Sequence, residues 1–441
     1  MPATSTKYLL LDPALVETCE NARLVLGRVE KDPHNPLFVE DKPWEVRFDN
    51  LYANVVYDAA AGLYQCWYNP FIMDRVYETT PPALRPHTVY RPQQREMGLC
   101  YAVSRDGITW DKPDLGIIEF GGSSHNNLVL RAIHGAGVYR DDCDPNRERR
   151  FKAFMKEGVA VSPDGLHWSQ VAPCPEIEAR GDTHNFALWD VEWGRYIGIT
   201  RLWDSGQRVV GWTESQDFRH WTSATPILRS LPDEPHRQTY ALLPFRYDSL
   251  YLGLLMILDI ETDLVDCELA VSQDTQHWDR VCPGEALIPR GPRGSFDWGC
   301  IYGAASPLLV DGRLRLYYGG GDDTHGSWRR TGFGLAWLRP DGFAGCAPLD
   351  QGAVGRVVTQ PVLCSGAQLT VSADAAGGSL RVGILEADGL SLADCEPIQT
   401  DVTDAPVTWR SGRTLAALQG QPVRLVFEAQ AATVYSFAFV D

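Results

Sequence analysis

The seven-residue pattern Ser-x-Asp-x-x-x-Trp occurs four times in this chain, as Ser104–Trp110, Ser162–Trp168, Ser215–Trp221 and Ser272–Trp278. Successive copies begin 58, 53 and 57 residues apart. Self-similarity at a period of roughly 50 residues marks a propeller or solenoid, because each unit must bury its apolar face against the next. The pattern itself reads as a β-hairpin corner. Its Ser and Asp oxygens can accept from nearby backbone N–H groups, Gly107 and Gly165 permit left-handed backbone, and the Trp packs the strand that follows. A degenerate fifth copy is legible in Arg339-Pro340-Asp341-Gly342-Phe343, after the strand-like run Gly332–Trp337. Five corners predict five blades.

Each corner is preceded by a pair of strand-like runs. These are Leu51–Tyr57 with Leu63–Tyr68, Gly137–Tyr139 with Arg150–Met155, and Phe186–Trp189 with Arg195–Thr200. Thr239–Phe245 with Ser249–Leu255 and Ala304–Val310 with Arg313–Tyr318 complete the set. After residue 345 the corners stop, and short alternating runs take over at Gln368–Val371, Ser379–Ile384, Pro422–Phe427 and Val434–Val440. Gly377-Gly378 and Asp388-Gly389 are hairpin turn signals between them. The expectation is an all-β chain: a wrapping segment over 1–40 with at most one short helix, a five-bladed β-propeller over 41–345, and a C-terminal β-sandwich over 346–441.

Composition agrees with many tight turns and broad sheets, at 40 Gly, 14 Trp and 17 Tyr in 441 residues. A formal net charge of −17 argues against nucleic acid or an anionic membrane as partner. The 11 cysteines form no Cys-x-x-Cys pair and are odd in number, which predicts buried thiols rather than a disulfide framework or a metal site. With neither a signal-like start nor a run of about 18 apolar residues, the chain reads as soluble and cytoplasmic. A homo-oligomer stays open, and no cofactor is implied.

In a propeller the inner strand of every blade lines the axial channel, so residues at those strands converge. Acids stand there in four of the five blades: Asp49, Asp142, Asp182 and Asp297. Carboxylates gathered from separate blades suit glycoside hydrolysis, where one carboxyl protonates the leaving oxygen and another acts as base or nucleophile. Candidate substrate contacts are Asn50, His184, Asn185, Arg201, Arg208, Tyr240, Trp298 and His325, with Tyr302 and Trp203 as further stacking surfaces. The corner acids Asp106, Asp164, Asp217 and Asp274 read as structural, Asp141 and Asp144 as loop acids. Asp322, Asp323 and His325 read as a solvated loop rather than a metal site.

The Ser-x-Asp-Gly-x-x-Trp corners and the segment Asp49–Asp58 resemble the five-bladed β-propeller glycosidases, the superfamily that holds glycoside hydrolase families 32 and 43. Family 32 couples its propeller to a C-terminal β-sandwich. The resemblance implies a nucleophile at Asp49, a transition-state stabiliser at Asp142 (or Asp141) and an acid/base at Asp182. The chain departs from family 32 in lacking Asn-Asp-Pro-Asn in blade one, Arg-Asp-Pro in blade two and Glu-Cys in blade three, so fructoside specificity does not carry over. The expected activity is hydrolysis of a glycoside or oligosaccharide. The alternatives are a non-catalytic carbohydrate-binding propeller and a transglycosidase or phosphorylase; a phosphorylase needs Arg, Lys or His at the channel, where the strand starts show mainly acids.

Overall fold

The computed structural model describes residues 6–156, 158–178, 181–350 and 352–441. Among them the protein is nearly all-β, with one α-helical turn at Arg75–Thr79 and a few 3-10 turns. No helix is long and apolar enough to cross a membrane. All 11 cysteines are free thiols.

Antiparallel sheets follow one another along the chain. The first comprises Asn54–Asp58, Leu63–Tyr68, Arg95–Ser104 and Phe71–Asp74, with Leu128–Ile133 also paired to Arg95–Ser104. The second runs Gly137–Arg140, Phe151–Met155, Gly158–Ser162, Ala172–Pro173, and the third Phe186–Asp190, Arg195–Asp204, Gln207–Ser215, Thr225–Leu228. Arg237–Tyr247, Leu250–Asp259, Leu264–Ser272 and Asp279–Val281 form a fourth set. A fifth, Cys300–Gly303, Arg313–Gly321 and Thr331–Leu338, joins the fourth through one parallel pair, Val265 with Cys300.

Neighbouring sets are stitched to one another mainly by side-chain hydrogen bonds and single backbone bonds. Asn54 Oδ1 accepts from Val138 N at 3.0 Å, Asn185 N donates to Gly135 O at 3.0 Å, and Thr183 Oγ1 to Tyr240 O at 3.0 Å. Val265 N donates to Gly299 O at 3.1 Å, and Ala305 N to Ala53 O at 3.0 Å, returning to the first sheet. The first strand of the fifth set begins at Cys300, earlier than the expected Ala304, because Ser306 adopts a left-handed φ of 59° that interrupts the ladder.

The corners form as their chemistry dictates. Asp106 Oδ1 accepts from the N–H groups of Ile108 at 2.8 Å and Thr109 at 2.7 Å, while Gly107 N donates to Ser104 Oγ at 2.8 Å. The two bonds to the Asp carboxylate recur at Asp164, Asp217 and Asp274, and the bond to the Ser hydroxyl at Gly165 and Thr275. The residue after each Asp is left-handed: glycine twice, then Phe218 at φ 60° and Thr275 at φ 66°. The bonding, not glycine itself, therefore defines the turn.

Two further antiparallel sheets share one apolar core that includes Leu369, Val371, Val382, Phe427 and Phe437. One contains Ala22–Leu26, Ala344–Pro348, Thr433–Val440, Gln368–Asp374, Asp401–Pro406 and Lys7–Leu9; the other Val16–Glu20, Val354–Thr359, Leu425–Gln430 and Ser379–Ile384. The N-terminal segment is thus mostly strand, with a 3-10 turn at Pro13–Leu15. Its strand Glu30–Lys31 pairs instead with Thr331–Leu338 of the fifth set.

Candidate active site

The candidate site is built on a strained turn. Asp49, Leu51 and Tyr52 all have positive φ, at 54°, 65° and 43°. Tyr52 N donates to Asn50 O at 2.8 Å, which makes Leu51 the centre of a γ-turn of the rare, left-handed kind. Strain of this sort persists only where the surroundings over-determine it. Here Arg329, fully buried, clamps the turn by donating to Asn50 Oδ1, and to Asp49 Oδ1 at 3.1 Å. Arg47 adds a second guanidinium 3.3 Å from Asp49 Oδ1.

Asp49 opens into a cavity of about 210 Å³ that it shares with Asp182, Arg95, Arg201, Arg208, His134, His325, Tyr52, Tyr90 and Tyr240. Burial alone would raise the Asp49 carboxyl. The charges of Arg329 and Arg47, and then Arg95, outweigh it and hold the pKa down to about 2. Asp182 is 56 % exposed and lies 3.4 Å from Arg201 Nη2. Arg201 can pass beneath it because residue 181 is glycine; a Cβ there would sit 2.5 Å from the Cβ of Arg201.

Tyrosines and neutral histidines fill the remaining wall. Asn50 Nδ2 donates to the hydroxyls of Tyr52 and Tyr240, each at 2.8 Å, and the Tyr52 hydroxyl donates to Asp182 O at 3.3 Å. His325 packs edge-on to Tyr240 with centroids 5.0 Å apart, and its Nδ1 meets the Tyr302 hydroxyl at 2.7 Å. Burial first, then the nearby Arg329, drive the His325 pKa well below the usual range, and burial lowers that of His134. Both rings are neutral at pH 7.

Of the acids singled out in the sequence, Asp49 and Asp182 meet in this cavity; Asp142 and Asp297 are not among its lining residues. Asp142 follows the strand Gly137–Arg140 rather than preceding it, and is 57 % exposed beside Arg140 and Arg150 in a separate cleft. The residue preceding that strand that reaches the site is His134. Asp297 is buried, accepting from the Tyr318 hydroxyl at 2.9 Å and Ser295 Oγ at 2.8 Å and pairing with Lys31. Trp298 stacks under Arg293 at 5.3 Å, away from the cavity. His184 and Asn185 lie beneath it: His184 Nε2 bonds Asn54 Oδ1 at 3.0 Å with its pKa lowered to about 3 by burial, and Asn185 takes the Thr200 hydroxyl at 2.7 Å.

Arg201, Arg208, Tyr240 and His325 do line it, and Asn50 holds two of its tyrosines. The residues not anticipated are Arg47, Arg95, Arg329, His134, Tyr52 and Tyr90. Tyr90 belongs to the excursion between the strands Phe71–Asp74 and Arg95–Ser104, where Arg47 stacks on its ring at 4.1 Å and Trp328 packs against it at 5.0 Å.

No family model and no curated protein matches the chain. Among solved structures it is similar to the β-1,2-mannobiose phosphorylase from Listeria innocua, at 13% identity and TM-score 0.48 over 71% of this chain and 97% of that one. It is similar also to a glycosyl hydrolase from Bacteroides ovatus, at 13% and 0.47 over 70% and 94%. A third is the α-L-arabinofuranosidase from Podospora anserina in complex with cellotriose, at 9% and 0.47 over 70% and 97%. Hydrolases and a phosphorylase are both represented, and likeness at this level does not decide activity.

Proposed function

We propose that the protein is a glycoside hydrolase whose reaction centre is the cavity between Asp49 and Asp182, set in a five-bladed β-propeller over residues 41–345 with a β-sandwich over 346–441. What supports the architecture is the series of single bonds that link each sheet to the next and return from Ala305 to Ala53. The observation that carries the function is a carboxylate clamped by two buried guanidiniums, Arg329 and Arg47, that shares one tyrosine-lined cavity with a second, water-accessible carboxyl.

The two carboxyls then divide the work. Asp49 stays ionised and takes the part of nucleophile or base, which requires a carboxylate. Asp182, the carboxyl open to solvent, takes the part of the acid that protonates the leaving oxygen. The flanking tyrosines offer ring faces and hydroxyls to the sugar.

Asp49→Asn and Asp182→Asn, assayed on a panel of aryl glycosides, should each lose about 10²- to 10⁴-fold in kcat/KM. Undiminished turnover in both refutes the assignment. Phosphorolysis is the second reading, and the arginines at the cavity favour it: the cationic groups that the strand starts lack come instead from inside strands and loops. It is decided by product, since phosphorolysis yields a sugar phosphate and hydrolysis a free sugar. Hydrolysis stands first because Asp49, clamped by Arg329 and Arg47, supplies the second carboxylate that hydrolysis requires.

A further inference from the structure

Resting on that reading, we infer that the sugar bound in this cavity carries a carboxylate, and that Arg208 recognises it. The cavity presents three guanidiniums, on Arg95, Arg201 and Arg208, against the two carboxylates of Asp49 and Asp182. Asp49 is already matched by Arg47 and Arg329, and Asp182 by Arg201. Neither Arg208 nor Arg95 has a carboxylate partner among the described residues. Arg95 lies over the Phe71 ring at 4.4 Å, and Arg208 over Trp203 at 4.7 Å, donating from Nη1 to the neutral Gln238 Oε1 at 2.9 Å.

Like charge has accumulated here without being neutralised. Burial, and next the neighbouring Arg201, lower the Arg208 pKa. A planar carboxylate fits the guanidinium fork, and the acceptor that Arg208 now has is a neutral amide, that of Gln238. Asp49 is held by Arg47 and Arg329, which leaves Arg208 to a substituent of the sugar rather than to its reacting centre. Trp203, 45 % exposed at the rim, offers its ring to the same sugar.

The test is calorimetric binding to the full-length protein of the methyl glycosides of glucuronic and galacturonic acid, in both anomers. The neutral methyl glucosides and methyl galactosides, and sodium phosphate alone, complete the set. At least one acidic glycoside should bind about tenfold or more tightly than its neutral parent, with the preference shrinking as salt is raised. Arg208→Gln should abolish the preference, and Arg208→Lys should restore part of it; matching circular dichroism shows that both are folded. Equal binding of acidic and neutral glycosides, or a preference untouched in Arg208→Gln, overturns the inference. So does phosphate binding more tightly than any acidic glycoside, which would give the arginines to a phosphate co-substrate. Because binding needs no turnover, an acid preference without hydrolysis would sink the hydrolase reading alone, and hydrolysis confined to neutral glycosides would sink this one alone.

Discussion

Replacing Arg329 by Gln removes a buried guanidinium that serves Asp49, Asn50 and the His325 carbonyl together. Breaking a buried ion pair from one side costs about 3–5 kcal/mol, because the remaining charge is stranded. The share belonging to Asp49 follows from its ionisation: a carboxyl at about 2 rather than 3.8 is worth about 2–3 kcal/mol. The two changes should therefore be non-additive: Asp49→Asn should cost less in the Arg329→Gln background than in the wild type, by up to about 2–3 kcal/mol, while Arg47 loses the same carboxylate in both. Urea unfolding followed by tryptophan fluorescence reads each variant. The pH dependence supplies an independent check. Asp49 has a depressed pKa, so its stabilising contribution is full above its unfolded value of 3.8 and is lost as pH falls toward about 2. The gap between wild type and Arg329→Gln should narrow over that window. Asp49→Asn costing as much in Arg329→Gln as in the wild type, or a gap unchanged between neutral and acidic pH, would refute the claim that Arg329 is there to hold Asp49 ionised.

Asp297→Asn should lower stability by about 1–3 kcal/mol through its bonds to Tyr318 and Lys31, yet leave kcat within a few-fold, as kinetics on any accepted glycoside will show. Gly165→Ala should cost about 1–3 kcal/mol in the same urea assay, since its φ is +78° and a Cβ would stand 2.4 Å from the Trp67 ring. The exposed thiol of Cys19, lowered to about 7 by its hydrogen bond with Cys346 against the opposing effect of burial, should be the first cysteine alkylated by iodoacetamide near neutral pH. Peptide mass spectrometry would locate the label, and slower labelling at Cys19 than at the exposed Cys143 would contradict the reasoning.

The corners are legible in the sequence because such a turn needs particular oxygens at fixed offsets, and four copies leave little freedom in reading the strands between them. The site is legible only in part. Asp49 and Asp182 stand before inner strands and can be found by position. Asp142 stands after one, and a search for acids passes over His134, the residue at the matching place. Asp297 precedes its strand but turns to Tyr318 and Lys31, a contact made across more than 260 residues that no local pattern encodes. Arg329 and Arg95 were not visible for the same reason: their meaning depends on Asp49, which reaches them only through the fold. Tyr90 sits in an irregular excursion, whose course is set by tertiary contacts such as the Trp328 indole donating to Thr88 O at 2.7 Å.

The pairing of Lys7–Leu9 with Thr433–Val440, Lys7 opposite Ala438, bears on how the molecule is made. Together with Val16–Glu20 and Ala22–Leu26, this puts earlier-synthesised strands into sheets whose remaining members are made much later. Those early strands must wait with unpaired edges until their partners emerge, and such long-range closure is slow. Assembly should then proceed from the middle outward. The inner sheets and the cavity between Asp49 and Asp182 can form first, and the meeting of the two ends comes as the final, rate-limiting clasp.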